Sequence, residues 1–229
     1  MRVLAVHNHY QLPGGEDAVF AAETRALEDA GHEVERFTID NHSIDGSVAA
    51  IKAAGSAIYN LRTRRSVAER IAAFRPDVMH VHNLFPLLSP SIFDASKEAG
   101  IASVWTLHNY RLTCANGLLF RDNLPCDSCV GNSPLPGVIH RCYRGSLGAS
   151  AAAAASIGAH RLRGTWSSKV DRFIALTSFA KAKFVEAGLP AANIAIKANS
   201  VPDPGVGKPF SDRSGFIYVG RLSIEKGVD

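Results

Sequence analysis

The sequence is short of the features that would place it quickly. Only four cysteines occur in 229 residues, and all lie between Cys114 and Cys142, so no chain-wide disulfide framework can be drawn. No stretch approaches the roughly 18–20 uninterrupted apolar residues of a membrane span. The longest apolar block, Ala149 to Ala159, is mostly alanine and is interrupted by Ser150, Ser156 and Gly158. The opening MRVLAVHNHY loses its apolar run at His7 and has no small-residue cleavage site, so no signal peptide is expected. Lys plus Arg is 25 against 21 Asp plus Glu. That excess is too small to argue for a nucleic-acid partner, and none is expected, although it does not oppose an anionic ligand. Neither G-x-G-x-x-G nor G-x-x-x-x-G-K-[ST] is present, which leaves dinucleotide dehydrogenases and P-loop ATPases unsupported. A G-x-S-x-G elbow is also missing, against a serine hydrolase. With 46% hydrophobic and 20% charged residues, the chain can bury a core as one large domain or two small ones. A cytoplasmic protein is expected, with peripheral contact at the inner face of the membrane left open.

What is present is a regular alternation. Val3 to His7 is an apolar run without period-2 patterning, which suits a parallel strand buried on both faces. A Pro-Gly-Gly turn follows, then a helix over Val19 to Ala30 closed by Gly31, then a strand over His32 to Ile39. The pattern repeats: helix Val67 to Phe74, strand Asp77 to His82, helix Pro90 to Ala99, strand Ile101 to His108. After an alanine-rich helix from Leu147 to Leu162 come a strand over Arg172 to Thr177 and a helix over Phe179 to Ala187 capped by Ser178. A final strand spans Asn193 to Asn199. Units of this kind predict an α/β fold, a Rossmann-like doubly wound parallel sheet with helices on both faces. Residues 202–215 are rich in Pro and Gly and read as a linker. Phe216 to Gly220 then reads as a further buried strand.

In open α/β sheets, ligands gather at the carboxyl ends of the strands. Those ends carry His7-Asn8-His9, then His80, His82 and Asn83, then His108 and Asn109, then Thr177 and Ser178. Any one of these histidines could merely satisfy a neighbouring loop; the set points to a polar site. Gly14 and Gly15 sit between the first strand and its helix, where a bare backbone can approach a phosphate. Glu16 and Asp17 follow at once and would compete with that anion. Arg221 and Lys226 follow the late strand and suit a diphosphate, the guanidinium as a fork and the ammonium as a point charge.

Two stretches stand apart. Cys114, Cys126, Cys129 and Cys142 are spaced C-x11-C-x2-C-x12-C within a loop-like insert over residues 110–145. A C-x-x-C pair is a natural chelate and two more thiolates would complete a tetrahedral site. A structural zinc is therefore the leading expectation, with disulfides or reduced thiols as alternatives. Arg62, Arg64, Arg65, Arg70 and Arg75 crowd a helix whose apolar residues are Val67, Ile71 and Phe74. Such a helix can dock on an anionic membrane, but the commoner use of this pattern is a solvated face covering a sheet.

The order of motifs resembles a known family. A Gly-Gly loop is followed by D-V-x-H-x-H, T-L-H-N, a strand ending in T-S, N-S-V-P and V-G-R-L-x-x-E-K-G. Over nearly the whole chain this is similar to the GT-B glycosyltransferases, specifically the retaining family 4 of nucleotide-sugar-dependent enzymes. The resemblance implies that residues 1–201 form the acceptor-side domain and that 216–229 open the donor domain. It implies that Gly14 and Gly15 lie near the donor diphosphate, that His108 lies close to the reacting sugar, and that Arg221 and Lys226 hold the donor phosphates. Ser178 and Asn199 match looser family positions. A nucleoside diphosphate sugar is the implied donor and a glycan or lipid-linked sugar the implied acceptor. No catalytic metal is expected, because Arg and Lys take the cation's part. The family's nucleotide pocket and E-x7-E motif have no counterpart in these residues, so the chain is expected to be a truncated form inactive alone. The alternative is a non-catalytic carbohydrate- or nucleotide-binding module. Reading the encoding gene past residue 229 separates the two.

Overall fold

The computed structural model describes residues 1–9, 14–40, 58–85, 87–200, 205–207, 209–212, 214–220 and 222–227. In chain order the elements are β1 (Arg2–His9), α1 (Gly15–Asp29), β2 (Glu33–Asp40), α2 (Leu61–Phe74), β3 (Val78–Val81), α3 (Ile92–Glu98) and β4 (Ala102–Leu107). A small hairpin of β5 (Phe120–Arg121) and β6 (Leu124–Pro125) follows. Then come α4 (Leu135–Ile139), α5 (Leu147–Leu162), α6 (Thr165–Lys169), β7 (Arg172–Ala175), α7 (Ser178–Glu186) and β8 (Ile194–Ile196).

Six strands form one sheet in the order β2-β1-β3-β4-β7-β8, and every pairing in it is parallel. Because strand side chains alternate, each strand feeds two layers. Leu4 and Val6 of β1, Met79 and Val81 of β3, and Leu107 of β4 enter a core with Val67 and Ile71 of α2 and Ile92 and Phe93 of α3. The intervening residues of the same strands face the other way, where Phe20 of α1 stacks on His7 at 4.7 Å. The result is the α/β Rossmann-like sheet that the alternation predicts.

Element ends are set by local bonds that the periodicity does not carry. Helix α2 begins six residues earlier than its apolar pattern, because the Asn60 side chain accepts the N–H groups of Arg62 and Thr63. It ends on Arg75, which takes a left-handed conformation ahead of Pro76. The cap of α7 is Thr177, whose hydroxyl accepts the Ala180 N–H at 3.0 Å, and not Ser178. Strand β8 is only three residues long, since Asn193 closes a 3-10 turn before it and the chain leaves the sheet after Ile196. Phe216 to Gly220 form no strand and are exposed; among the described residues no neighbouring strand receives their amides. Two arginines of α2 are spent on ion pairs, Arg64 with Glu98 at 2.6 Å and Arg70 with Glu35 at 3.0 Å. Meanwhile Val67, Ile71 and Phe74 cover the sheet. No helix among the described residues is long and apolar enough to cross a membrane.

Candidate functional site

The chain runs from β1 outward to β2 and then returns to the other side of β1 with β3, so the sheet order reverses between β1 and β3. A crevice opens beyond the carboxyl ends of the strands at such a reversal. The register there aligns His7, His80 with His82, and His108 on one layer, all from strands that leave the same edge. Ring centroids separate His7 from His82 by 6.3 Å, His80 from His82 by 4.4 Å and His82 from His108 by 5.3 Å.

These imidazoles form two linked groups. In the first, Asp17 of α1 meets His7 Nε2 at 2.9 Å and His9 Nδ1 at 2.6 Å, and its other oxygen accepts the Gly14 N–H at 2.7 Å. Burial works to raise the Asp17 carboxyl, but the bonds from His7, Gly14 and His9 outweigh it and hold the group below its ordinary value. Burial pushes His7 down despite its bond to Asp17.

In the second group His82 Nδ1 lies 3.1 Å from His108 Nε2, and His80 Nε2 lies 2.8 Å from the Thr106 hydroxyl. The other nitrogen of His82 faces Glu23 at 3.6 Å, too far for a hydrogen bond, and is buried without one. Glu23 in turn receives the Lys197 ammonium at 2.6 Å. Burial, reinforced by His7, His80 and Lys197, lowers His108 to about 4. His82 and His80 are lowered by the same cause. At neutral pH these rings are therefore uncharged, able to donate and accept but not to supply positive charge.

His82, Asn83, Trp105, His108, Asn109 and Arg111 line one cavity of about 80 Å³ at this edge. Asn8 and Asn83 fix its floor: the Asn83 amide donates to Asn8 O at 2.8 Å, while Asn83 Oδ1 accepts the Phe85 N–H at 3.1 Å. Asn109 donates to Glu16 at 2.9 Å, which ties the cavity to the first turn of α1 and so to Gly14 and Gly15. Arg111 lies over the ring of Phe85 at 4.7 Å and that of Tyr143 at 5.1 Å, two rings that meet edge to face at 5.7 Å. Its passage explains Gly117, which sits at φ +78° where a Cβ would come within 2.9 Å of the Arg111 side chain.

The described residues named from the sequence thus fall into four sets. His82, His108 and Asn109 meet at the cavity. Gly14 and Gly15 stand beside it through Glu16, but the Gly14 N–H is taken by Asp17 rather than left for an anion. Neither glycine has a positive φ, and a Cβ on Gly15 would meet nothing within 4 Å. Ser178 and Asn199 are exposed and do not line the cavity; Lys226 is exposed in the short turn Ile224–Lys226; Arg221 lies outside the described residues. Cys114, Cys126, Cys129 and Cys142 line a second, smaller cavity.

Three residues of the site, Glu23, Lys197 and Arg111, carry no signal in the motifs named above, and neither does the pairing role of Asp17. Glu23 has a signal outside those motifs. It stands four residues after the buried Val19, on the stripe that α1 turns inward, where a carboxylate needs a partner. Among the described residues two clusters gather ligand atoms within 4.8 Å of one another, His7–His9–Asp17 and Glu23–His80–His82. In each the carboxylate is already engaged, by two imidazoles and an amide in the first and by the Lys197 ammonium in the second.

Comparison with solved structures returns several chains at low identity. Against the lipopolysaccharide outer core galactosyltransferase WaaB in its apo form, the identity is 13% and the TM-score 0.49, covering 93% of this chain and 50% of that one. For the UDP-GlcNAc 2-epimerase from Neisseria meningitidis bound to UDP-GlcNAc the values are 10% and 0.47, covering 87% and 46%. For Anabaena Alr3699/HepE in complex with UDP they are 16% and 0.43, covering 88% and 44%. The chain thus spans half or less of the length of each of these proteins. No curated protein matches it by sequence. The model of the glycosyl transferase 4-like domain matches residues 14–200, a span that takes in His80, His82, His108, Arg111 and all four cysteines, and the chain belongs to that family.

Proposed function

We propose that these residues are the acceptor-side half of a retaining glycosyltransferase that takes a nucleoside diphosphate sugar and passes the sugar to a glycan or lipid-linked acceptor. The observation that carries the reading is the neutral His82–His108 pair opening on a cavity at the reversal of strand order. The Glu23 carboxylate, which receives Lys197, faces His82 Nε2 at 3.6 Å and favours a proton there. His82 Nδ1 then accepts from His108 Nε2–H, which leaves His108 Nδ1 as an acceptor. An uncharged acceptor of this kind suits a sugar hydroxyl, which it can orient without drawing counter-ions into the site.

Positive charge comes from elsewhere. Arg111, packed against the rings of Phe85 and Tyr143, offers a cation at the cavity. Arg221 and Lys226 would hold the donor phosphates from a second lobe, stabilising the charge that develops on the leaving nucleoside diphosphate. Gly14 and Gly15 leave the backbone bare on the side from which that diphosphate would approach. No nucleophile and no catalytic metal are assigned. The ion pairs of Arg64 and Arg70 favour a solvated role for α2 over membrane docking.

The test follows the imidazole resonances of His108 and His82 while the chain is titrated with acceptor saccharides and nucleoside diphosphate sugars, with product formation measured in parallel. Shifts at both histidines, without transfer by this chain alone, are expected. Transfer at a rate normal for an intact enzyme would overturn the half-enzyme reading, and silence of both rings towards every saccharide would overturn the cleft. Sequence beyond residue 229 encoding a nucleotide lobe would exclude a purely binding module.

A further inference from the structure

We propose that Cys114, Cys126, Cys129 and Cys142 bind one zinc ion as four thiolates, and that this metal fixes the Asn109–Arg111 wall of the cavity. The proposal stands apart from sugar transfer, because it concerns what orders the segment between β4 and α5.

The four cysteines come from three separate stretches: the turn after β4, the turn after the β5–β6 hairpin, and the chain after α4. Yet all four line a single cavity of about 20 Å³, together with Arg121, Ser128 and Gly137. All are free thiols. Amides point at two of the sulfurs, Ser128 at Cys126 and Gly137 at Cys129. Zinc with four thiolates carries a net charge of −2, and the Arg121 guanidinium, which lines the cavity and whose Nε lies 3.3 Å from Asp122 Oδ2, is placed to offset part of it.

The backbone points the same way. Among the described residues six non-glycine positions have positive φ, and five of them fall in this segment: Leu119, Asp122, Asn123, Arg141 and Arg144. Asp122 and Asn123 are the two central residues of the β5–β6 hairpin turn, where positive φ is the usual backbone; Leu119, Arg141 and Arg144 have no such turn, and left-handed residues of that kind cost of order 1–3 kcal/mol each and persist where the surroundings over-determine them. The segment's own regular structure is a hairpin of two residues per strand and the short α4, a thin scaffold for such a backbone. The sulfurs are more widely spaced than the two histidine clusters, whose ligand atoms lie within 4.8 Å. Zn–S bonds of about 2.3 Å would draw them inward by side-chain rotation.

The link to the cavity wall is covalent and hydrogen-bonded. Cys114 N donates to Tyr110 O at 2.8 Å, Tyr110 N to Gly117 O at 3.0 Å, and the Thr113 hydroxyl to Cys129 O at 3.1 Å. Arg111 itself donates to Ala115 O at 3.4 Å. A metal at the four sulfurs therefore holds both ends of the turn that carries Asn109 and Arg111.

The test uses the tag-free chain purified under reducing conditions. Elemental analysis is expected to find close to one zinc per chain. Cobalt(II) exchange is expected to give the thiolate-to-metal charge-transfer and tetrahedral ligand-field bands of a four-sulfur site. Removing the metal with a chelator should expose four thiols to a thiol reagent and speed hydrogen exchange at the Tyr110 and Cys114 amides. Cys142→Ser should lower the stoichiometry, and the intact chain supplies every other readout should that variant not fold. Zinc at background level, two disulfides, or thiols that titrate freely in the metal-loaded chain would overturn the site. Unchanged exchange at Tyr110 and Cys114 after metal removal would overturn its role at the cavity. None of these readouts involves turnover, so their failure is distinct from failure of the transferase reading.

Discussion

The carboxyl edge of the sheet and the cysteine segment solve the same problem, holding polar side chains in place, by opposite means. At the sheet edge the strands do the positioning: His7, His82 and His108 hang from a parallel ladder whose other layer is a packed core. Their burial then makes the imidazoles neutral. In the cysteine segment there is little ladder and little core, and a strained backbone surrounds four sulfurs instead. A scaffold of buried strands can carry uncharged histidines without further help. For the scaffold of turns, the zinc proposed above would take the place of the ladder.

The comparison can be broken or sharpened by experiment, and the largest effect is expected in the core behind the edge. Phe173 is fully buried there, and Phe173→Ala should cost about 3–5 kcal/mol of global stability. Urea unfolding followed by far-UV circular dichroism measures it; a loss below about 1 kcal/mol would mean the sheet is not the rigid partner.

The next effect is pH-dependent. His108 falls from 6.5 to about 4 in the folded chain, and His7, His80 and His82 are also lowered. The unfolded chain therefore binds more protons than the folded one between about pH 6.5 and about pH 4. Stability should fall as pH drops through that window, by up to about 3 kcal/mol for His108 alone at about 1.4 kcal/mol per unit. Urea midpoints that stay flat from pH 7 to pH 4.5 would contradict burial of the histidine edge.

A smaller effect is expected at Asp17, which serves His7, His9 and the Gly14 amide together. Asp17→Asn keeps the shape but removes the charge from these bonds, and should cost about 2 kcal/mol. The same substitution should leave metal content untouched, which separates the two regions directly. The smallest effect tests the helix cap: Thr177→Ala should cost about 1 kcal/mol, whereas Ser178→Ala should stay within about 0.5 kcal/mol. The reverse order would return the cap to Ser178.

Much of the sheet edge was legible beforehand because it rests on short-range pattern. Buried strands read as apolar runs, and the residue that ends each run can be named, which is how His82, His108 and Asn109 were found. Helix α5 kept its sequence-derived limits, Leu147 to Leu162, because both ends are local: Ser146 caps the start and a turn at Gly164 follows the end. Ser178 follows from the same rule and Asn199 only from the family resemblance, yet the cavity lies at β3 and β4 while β7 and β8 stand further along the sheet. Glu23 and Lys197 were not found because they are 174 residues apart and neither explains itself alone. Arg111 was missed because its meaning depends on Phe85 and Tyr143, which reach it from two other parts of the chain.

The sequence by itself determined the succession of strands and helices, the polar residues at the strand tips and the spacing of four cysteines, since each follows from bonds and periodicities spanning a few residues. Only the tertiary structure decided the order in which the strands lie. That order puts His82 against His108, brings Lys197 to Glu23 and gathers three stretches of chain around one set of sulfurs. Such partnerships come from packing between distant segments, where the burial of one surface selects another and no local pattern records the choice.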